Sequence, residues 1–273
     1  DFISAWLLIG PPVCLVDPGP ASTTEQLSAA LAAHGVGRID FLLLTHIHLD
    51  HAGGVGRIAR RFPEAQVVCH PKAVAHLADP TRLWEGSRKV LGSLADAYGP
   101  VEAVPAERLL AADRLAVEGI TPLLTPGHAP HHVSFAVGDL LFAGEACGVL
   151  YDLGDRGLYM RPATPPVFDL GQALASLERL IARRPGRMVV GHSGLYRGAV
   201  SLLSRHHLQL RDWERRIAGL AGRPIEEIAG ELLAHDPLLA AFSAFPAAAQ
   251  ERERYFLKNS LEGFRGWVTS RRP

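Results

Sequence analysis

Apolar positions along this chain fall into two kinds of run. Short runs bounded by Gly, Pro and Asp predict strands, and stretches with an apolar residue every three or four positions predict helices. Residues 3–9 and 13–17 predict two strands around a Gly10-Pro11-Pro12 turn. Ser22 or Thr23 is placed to cap a helix running to about His34. The run Phe41-Leu42-Leu43-Leu44, closed by Thr45, suits a strand covered on both faces. A helix to Arg61 is expected after Gly53-Gly54, then a strand over 67–69. Residues 71–99 predict helix, with Trp84, Val90, Leu91 and Leu94 at helical spacing. Short strands are expected near 108–110, 114–117, 120–125, 133–137 and 140–143, and a long Gly- and Pro-rich loop over 147–168. Helix 169–183 and strand 187–190 follow. From about 197 the pattern is helical, broken at Gly222-Arg223-Pro224, Asp236-Pro237 and Pro246. The sequence has no internal repeat and no low-complexity linker, so these last helices are expected to pack on the main body. The sum is an α/β protein with its site on loops at one sheet edge.

Composition narrows the class. At 273 residues and 48% apolar content, the chain can bury a sizeable core. Acids and bases both number 28, which argues against a dedicated nucleic-acid binder. No apolar run reaches the length of a membrane span. The start, Asp1-Phe2-Ile3-Ser4, lacks the basic region of a signal peptide and reads as the beginning of an ordered fragment. Cys14, Cys69 and Cys147 stand far apart in apolar surroundings and read as reduced, buried side chains, which fits a cytoplasmic protein. The unusual count is thirteen histidines.

Their placement carries the chemistry. His46-x-His48-x-Asp50-His51 sets four metal-capable side chains within six residues, directly after the apolar strand. A two-residue spacing puts His46 and His48 on one side only if the backbone is extended. Asp50 and His51 then turn toward a second position. Imidazole suits zinc and similar metals, and the carboxylate adds a harder ligand. A solvated His-rich loop is the plain alternative, but it gives no reason for the histidines to cluster beside an aspartate and a Gly-Gly pair, which itself reads as permitting close approach. Two further strand ends bear histidines: Thr125-Pro126-Gly127-His128-Ala129-Pro130-His131-His132 and Val190-Gly191-His192. Either is weak alone; together with the first motif they read as metal ligands.

In this order, Val16-Asp17-Pro18-Gly19, the HxHxDH run, Gly127-His128, the acid after Leu141-Phe142-Ala143-Gly144, and Gly191-His192 resemble the motifs of the metallo-β-lactamase-fold superfamily of metallohydrolases. The Thr-Pro-Gly-His-x-Pro-x-His segment is most similar to its glyoxalase II-like branch, whose members cleave thioesters. The resemblance implies an αβ/βα four-layer sandwich over 1–196, with a helical extension over 197–273 packed on it. It also implies two divalent metal ions, zinc first and iron or manganese as alternatives. His46, His48 and His128 would hold one ion, and Asp50, His51 and His192 the other. Where the family carries an aspartate bridging both ions, this chain has Glu145, whose carboxylate either bridges, binds one ion, or takes no part.

Residues outside those motifs have plainer alternatives. Asp17 either orients a ligand histidine or caps a turn, His132 stands behind the ligands, and His131 lines the site. Tyr151, Tyr159, Arg156 and Arg161, expected on the long loop, either meet substrate or simply pack there. Trp84 and Tyr98 either wall the pocket or belong to the core. His70, His76, His206, His207 and His235 read as surface or satisfied core residues.

The function implied is a metal-dependent hydrolase in which a metal-bound hydroxide, oriented by Asp50, attacks a small ester-like substrate, a thioester or lactone ahead of others. A phosphodiesterase or nuclease of the same fold is the first alternative, disfavoured by the neutral charge. An iron-binding oxidoreductase or sensor is the second, disfavoured by His48, since flavin-linked diiron relatives carry Glu there. A non-catalytic scaffold is the third. The expected partner is a small molecule, without nucleic acid or membrane, and the C-terminal helices are placed to cover the cleft or support a homodimer.

Overall fold

A computed structural model describes residues 3–166 and 168–270 of the chain. What was expected of Asp1 and Phe2 lies outside the described residues. The chain divides into two compact units: 1–124 with 131–138, and 125–130 with 139–273.

The first unit is built on a five-stranded sheet. Strands β1 (Trp6–Leu8) and β2 (Cys14–Val16) form the expected hairpin around the Gly10-Pro11-Pro12 turn. Strands β2, β3 (Phe41–Leu43), β4 (Gln66–Cys69) and β5 (Leu109–Ala111) run parallel, with Val16 opposite Leu43 and Leu43 opposite Val68. Strands of a parallel sheet are covered on both faces, which is why β2 and β3 read as unbroken apolar runs. Leu15, Leu42, Val67 and Cys69 sit in one core with Ile39, Leu44, Ile47, Val55 and Ile58. Helices α1 (Thr24–Ala33), α2 (Leu49–Ala52) and α3 (Val55–Arg61) make the connections between the inner strands. The expected hydroxyl cap of α1 is corrected here. Thr23 Oγ1 and Thr24 Oγ1 donate to the carbonyls of Pro20 and Ala21, because a 3₁₀ turn over Ala21–Thr23 leads into the helix.

The helical stretch expected over 71–99 forms three helices: α4 (Val74–Ala78), α5 (Thr81–Leu91) and α6 (Ser93–Tyr98). Pro80 and Gly92, the latter at positive φ, make the breaks. Trp84 and Tyr98 pack with Leu83 and Leu91 against Leu49, Ala95 and Val101, so they are core, while Val90 is exposed. No strand forms over 114–117; a 3₁₀ turn at Ala112–Arg114 and an isolated bridge from Val117 to Ile120 take its place. Strands β6 (Ile120–Leu124) and β7 (Val133–Val137) close the unit as an antiparallel hairpin.

In the second unit, β8 (Leu140–Phe142) pairs in parallel with β11 (Arg187–Val189), which pairs antiparallel with β12 (Leu195–Arg197). The long loop expected over 147–168 is corrected: it holds a hairpin of β9 (Val149–Asp152) and β10 (Leu158–Arg161). Its glycines 148, 154 and 157 adopt positive φ at the strand ends, so they shape the hairpin rather than prevent it. Helix α7 (Leu170–Ala182) starts at Asp169, whose Oδ1 accepts the Gln172 amide at 2.9 Å, and it buries Leu170, Leu174, Leu177 and Leu180 on one stripe. Helices α8 (Ala199–Leu220), α9 (Ile225–His235) and α10 (Ala247–Ser270), expected as a C-terminal extension, belong to this unit. Trp213 of α8 packs on Phe264 of α10, and its Nε1 donates to the buried Asp236 at 2.7 Å. No helix among the described residues is long and apolar enough to cross a membrane. Cys14, Cys69 and Cys147 are buried free thiols, and burial pushes those of Cys14 and Cys69 up to about 12.

Candidate metal centre

Each unit gathers part of the expected ligand set at the ends of its parallel strands. In open α/β sheets, loops at the carboxyl ends of strands carry the chemistry. In the first unit these ends deliver Asp17 from β2 and Thr45, His46 and His48 from β3. His48 is extended (φ −63°, ψ 151°), as the two-residue spacing requires, and the His46 and His48 ring centroids lie 4.5 Å apart. The chain then turns into α2, which carries Asp50 and His51 to a second position. His51 Nε2 lies 3.7 Å from Asp50 Oδ2. The tight turn needs Gly53 and Gly54. A Cβ at 53 would stand 2.3 Å from the Leu49 carbonyl oxygen, and one at 54 would stand 2.5 Å from Thr24 Cγ2.

Asp17 organises this half. It is buried, with φ +50°, a backbone state that Asp and Asn tolerate better than most residues. Its Oδ1 accepts the Thr45 amide at 2.8 Å, and its Oδ2 accepts the Thr45 hydroxyl at 2.6 Å and His51 Nδ1–H at 3.0 Å. The Thr45 hydroxyl has a single proton and gives it to the carboxylate. Toward His46 Nδ1, 3.0 Å away, it is therefore the acceptor. Nδ1 is the donor in both rings, which leaves Nε2 of each for a ligand, as in metal-binding imidazoles. His132 is fully buried with its ring 5.2 Å from that of His46. The His131 ring lies 5.8 Å from that of His48.

In the second unit the parallel register does the placing. Phe142 pairs with Val189, so Glu145 and His192, each three residues past its partner, emerge side by side. Glu145 Oε1 lies 3.5 Å from His192 Nε2, and Glu145 Oε2 lies 2.9 Å from His128 Nε2. The one carboxylate thus divides its oxygens between the two histidines. His128 Nδ1–H donates to the Ala163 carbonyl at 2.8 Å, which fixes Nε2 as its ligand atom. Gly127 permits this approach: its φ is +147°, and a Cβ there would meet Ala173 Cα at 2.4 Å.

The donors in each unit fit metal ions: imidazoles, three of them oriented through Nδ1–H, stand with the carboxylate of Asp50 in the first unit and that of Glu145 in the second. Sequence reasoning missed Thr45, although it adjoins the motif, and the Ala163 carbonyl, which no side chain announces.

Other expected candidates lie elsewhere. Tyr151 and Tyr159 are on the β9–β10 hairpin, packed edge-on against Phe245, and burial raises both phenols. Arg161 is buried in an ion pair with Glu253 at 2.7 Å, and Arg156 donates to the Ala244 carbonyl. His206 is a satisfied core residue: its Nδ1 lies 3.0 Å from Gln209 Oε1, and burial lowers its pKa to about 4. It lines a small cavity with His128, Glu145, Thr164 and Ser176.

Comparison with known proteins gives the family. The family model of the metallo-beta-lactamase superfamily matches residues 1–192, and the chain belongs to that superfamily of metallohydrolases. A metallo-beta-lactamase fold-containing protein of Sulfurisphaera tokodaii is 30% identical over 228 residues, covering 76% of this chain and 80% of that protein. A hydroxyacylglutathione hydrolase of Acidiphilium cryptum is 31% identical over 250 residues, covering 88% and 86%. The crystal structure of an archaeal superfamily protein from Sulfolobus tokodaii superposes with a TM-score of 0.69 at 23% identity, covering 96% of this chain and 92% of that one. A family protein from Thermus thermophilus superposes at 0.67 with 19% identity, covering 98% and 88%. These two structures share the fold.

Proposed function

We propose that the chain is a hydrolase that works with two divalent metal ions, zinc foremost, on a small ester-like substrate, with a thioester ahead of a lactone. His46, His48 and His128 would hold one ion, and Asp50, His51 and His192 the other, with Glu145 bridging. The observation that carries this reading is the fixed direction of the imidazoles: Thr45, Asp17 and the Ala163 carbonyl each take an Nδ1–H, which commits Nε2 to a ligand. The divided oxygens of Glu145 support its bridging role. The thioester preference rests on the resemblance to proteins named hydroxyacylglutathione hydrolase.

When bound, such metals lower the pKa of water from 15.7 to about 7, so that hydroxide is available at neutral pH. Asp50 orients the attacking water by accepting its hydrogen bond. Asp17 and Thr45 hold the rings of His51 and His46 so that neither has to turn during the reaction. No serine or cysteine nucleophile is required.

The test is metal analysis of the purified protein with a panel of thioester, lactone, β-lactam and phosphodiester substrates. Two equivalents of metal and preferential thioester cleavage are expected, with hydrolysis abolished and metal content lowered in His48→Ala. Full activity in a metal-free His48→Ala protein overturns the mechanism. Cleavage of phosphodiesters alone overturns the substrate class.

A further inference from the structure

The last helix grips one short segment of chain, and that segment presents the carbonyl that orients His128. The segment is 161–164. Its Ala163 oxygen accepts His128 Nδ1–H at 2.8 Å. On one side of Ala163, the Pro162 carbonyl accepts the Ser260 hydroxyl at 2.9 Å, and Arg161 Nε meets Glu253 Oε2 at 2.7 Å. On the other side, the Thr164 hydroxyl donates to the Ser260 carbonyl at 2.6 Å, 96 residues further along the chain. Gly263 completes the grip: a Cβ there would stand 2.1 Å from the Thr164 carbonyl oxygen and 2.6 Å from that of Pro165.

Glu253, Ser260 and Gly263 are spaced by seven and three residues, so they share one face of α10. That face is buried, and Glu253 is 0% exposed. A helix packed only for stability would present apolar side chains here. Gly in a helix interior costs about 1 kcal/mol relative to Ala, and a buried carboxylate is costly unless paired. Here α10 presents a Gly, a Ser and a Glu, and all three meet the residues flanking Ala163.

We propose that α10 is a positioning element for His128, holding the Ala163 carbonyl where it fixes the direction and tautomer of that ring. The proposal rests on the reading of His128 as a metal ligand. Partners of ligand histidines matter by 10–100-fold in metal affinity when they are lost.

The experiment uses the full chain. Zinc affinity is measured by competition with a chromophoric chelator, and unfolding is followed on the metal-free protein. Thr164→Val removes the hydroxyl at nearly constant shape, and Gly263→Ala pushes on the Thr164 carbonyl. Each is expected to weaken one of the two zinc ions 10–100-fold, whereas Thr164→Ser stays within about threefold of the wild type. Val268→Ala, on α10 beyond the grip, is expected to lower the unfolding temperature without moving zinc affinity. If Gly263→Ala fails to fold, Thr164→Val decides. Unchanged zinc affinity in Thr164→Val, while His128→Ala loses an ion, overturns the proposal and leaves the functional reading standing. An equal loss of zinc affinity in Val268→Ala also overturns it, because the effect is then one of stability. If His128→Ala keeps both ions, the functional reading fails, and the proposal fails with it.

Discussion

Shortening Glu145 by one methylene tests the site where this chain departs from its family. Glu145→Asp keeps the charge and withdraws the carboxylate by one carbon–carbon bond, about 1.5 Å. With the backbone fixed, the 2.9 Å approach to His128 and the 3.5 Å approach to His192 both open beyond 4 Å. A zinc–carboxylate bond spans about 2.0–2.2 Å, so an oxygen displaced this far no longer shares an ion with either imidazole. Misplacement of about 1 Å at a reacting centre can cost on the order of 100-fold in rate. The expected result is a loss of at least tenfold in affinity for one zinc ion and a comparable or larger fall in kcat. Chelator competition and steady-state kinetics on the metal-loaded protein measure the two. Glu145→Gln separates charge from reach, because it keeps the length. If Glu145→Asp binds two zinc ions as tightly as the wild type and turns over equally fast, the length of this side chain is immaterial, and the bridging argument fails.

Three other outcomes follow from the same geometry. Glu253→Ala strands the Arg161 guanidinium in the core, and urea unfolding should show a loss of about 3–5 kcal/mol, largely recovered in an Arg161→Met/Glu253→Leu double variant; a loss below about 1 kcal/mol contradicts the burial argument. His206, with a pKa lowered from 6.5 to about 4, stays neutral in the folded chain while the unfolded chain takes up a proton. Its contribution is therefore complete above about pH 6.5 and declines toward pH 4, by on the order of 3 kcal/mol; an imidazole resonance of His206 titrating near 6.5 in NMR is the contrary result. Asp17→Asn replaces an acceptor-only carboxylate with a group that also donates, and zinc affinity should fall 10–100-fold, with unchanged affinity speaking against its orienting role.

The parts of the molecule legible in the sequence are those in which side-chain type and spacing are themselves the constraint. The unbroken apolar run before Thr45 announces β3, and the alternate histidines require an extended backbone, which His48 has. The Gly-Gly pair reads as permitting close approach, and a Cβ on either glycine would crowd the 20–24 segment. Strands β9 and β10 are hidden because glycines that end four-residue strands look the same as glycines that fill a loop. Thr23 looks like a cap, but the 3₁₀ turn before α1 leaves its hydroxyl a nearer carbonyl, that of Pro20. Helix α10 conceals most. Its polar residues suggest a solvated face, and only the position of Arg161 shows that Glu253 lies inside. The orienting role of Ala163 belongs to a backbone oxygen, for which no residue type is a signal.

The carboxylate of Asp17 reaches one ring from each proposed ligand trio, His51 directly and His46 by way of a single hydroxyl. Loading with two ions would then not be a matter of two independent equilibria. An ion that stiffens either ring also steadies the anchor of the other, so the second equivalent should enter on ground partly prepared by the first.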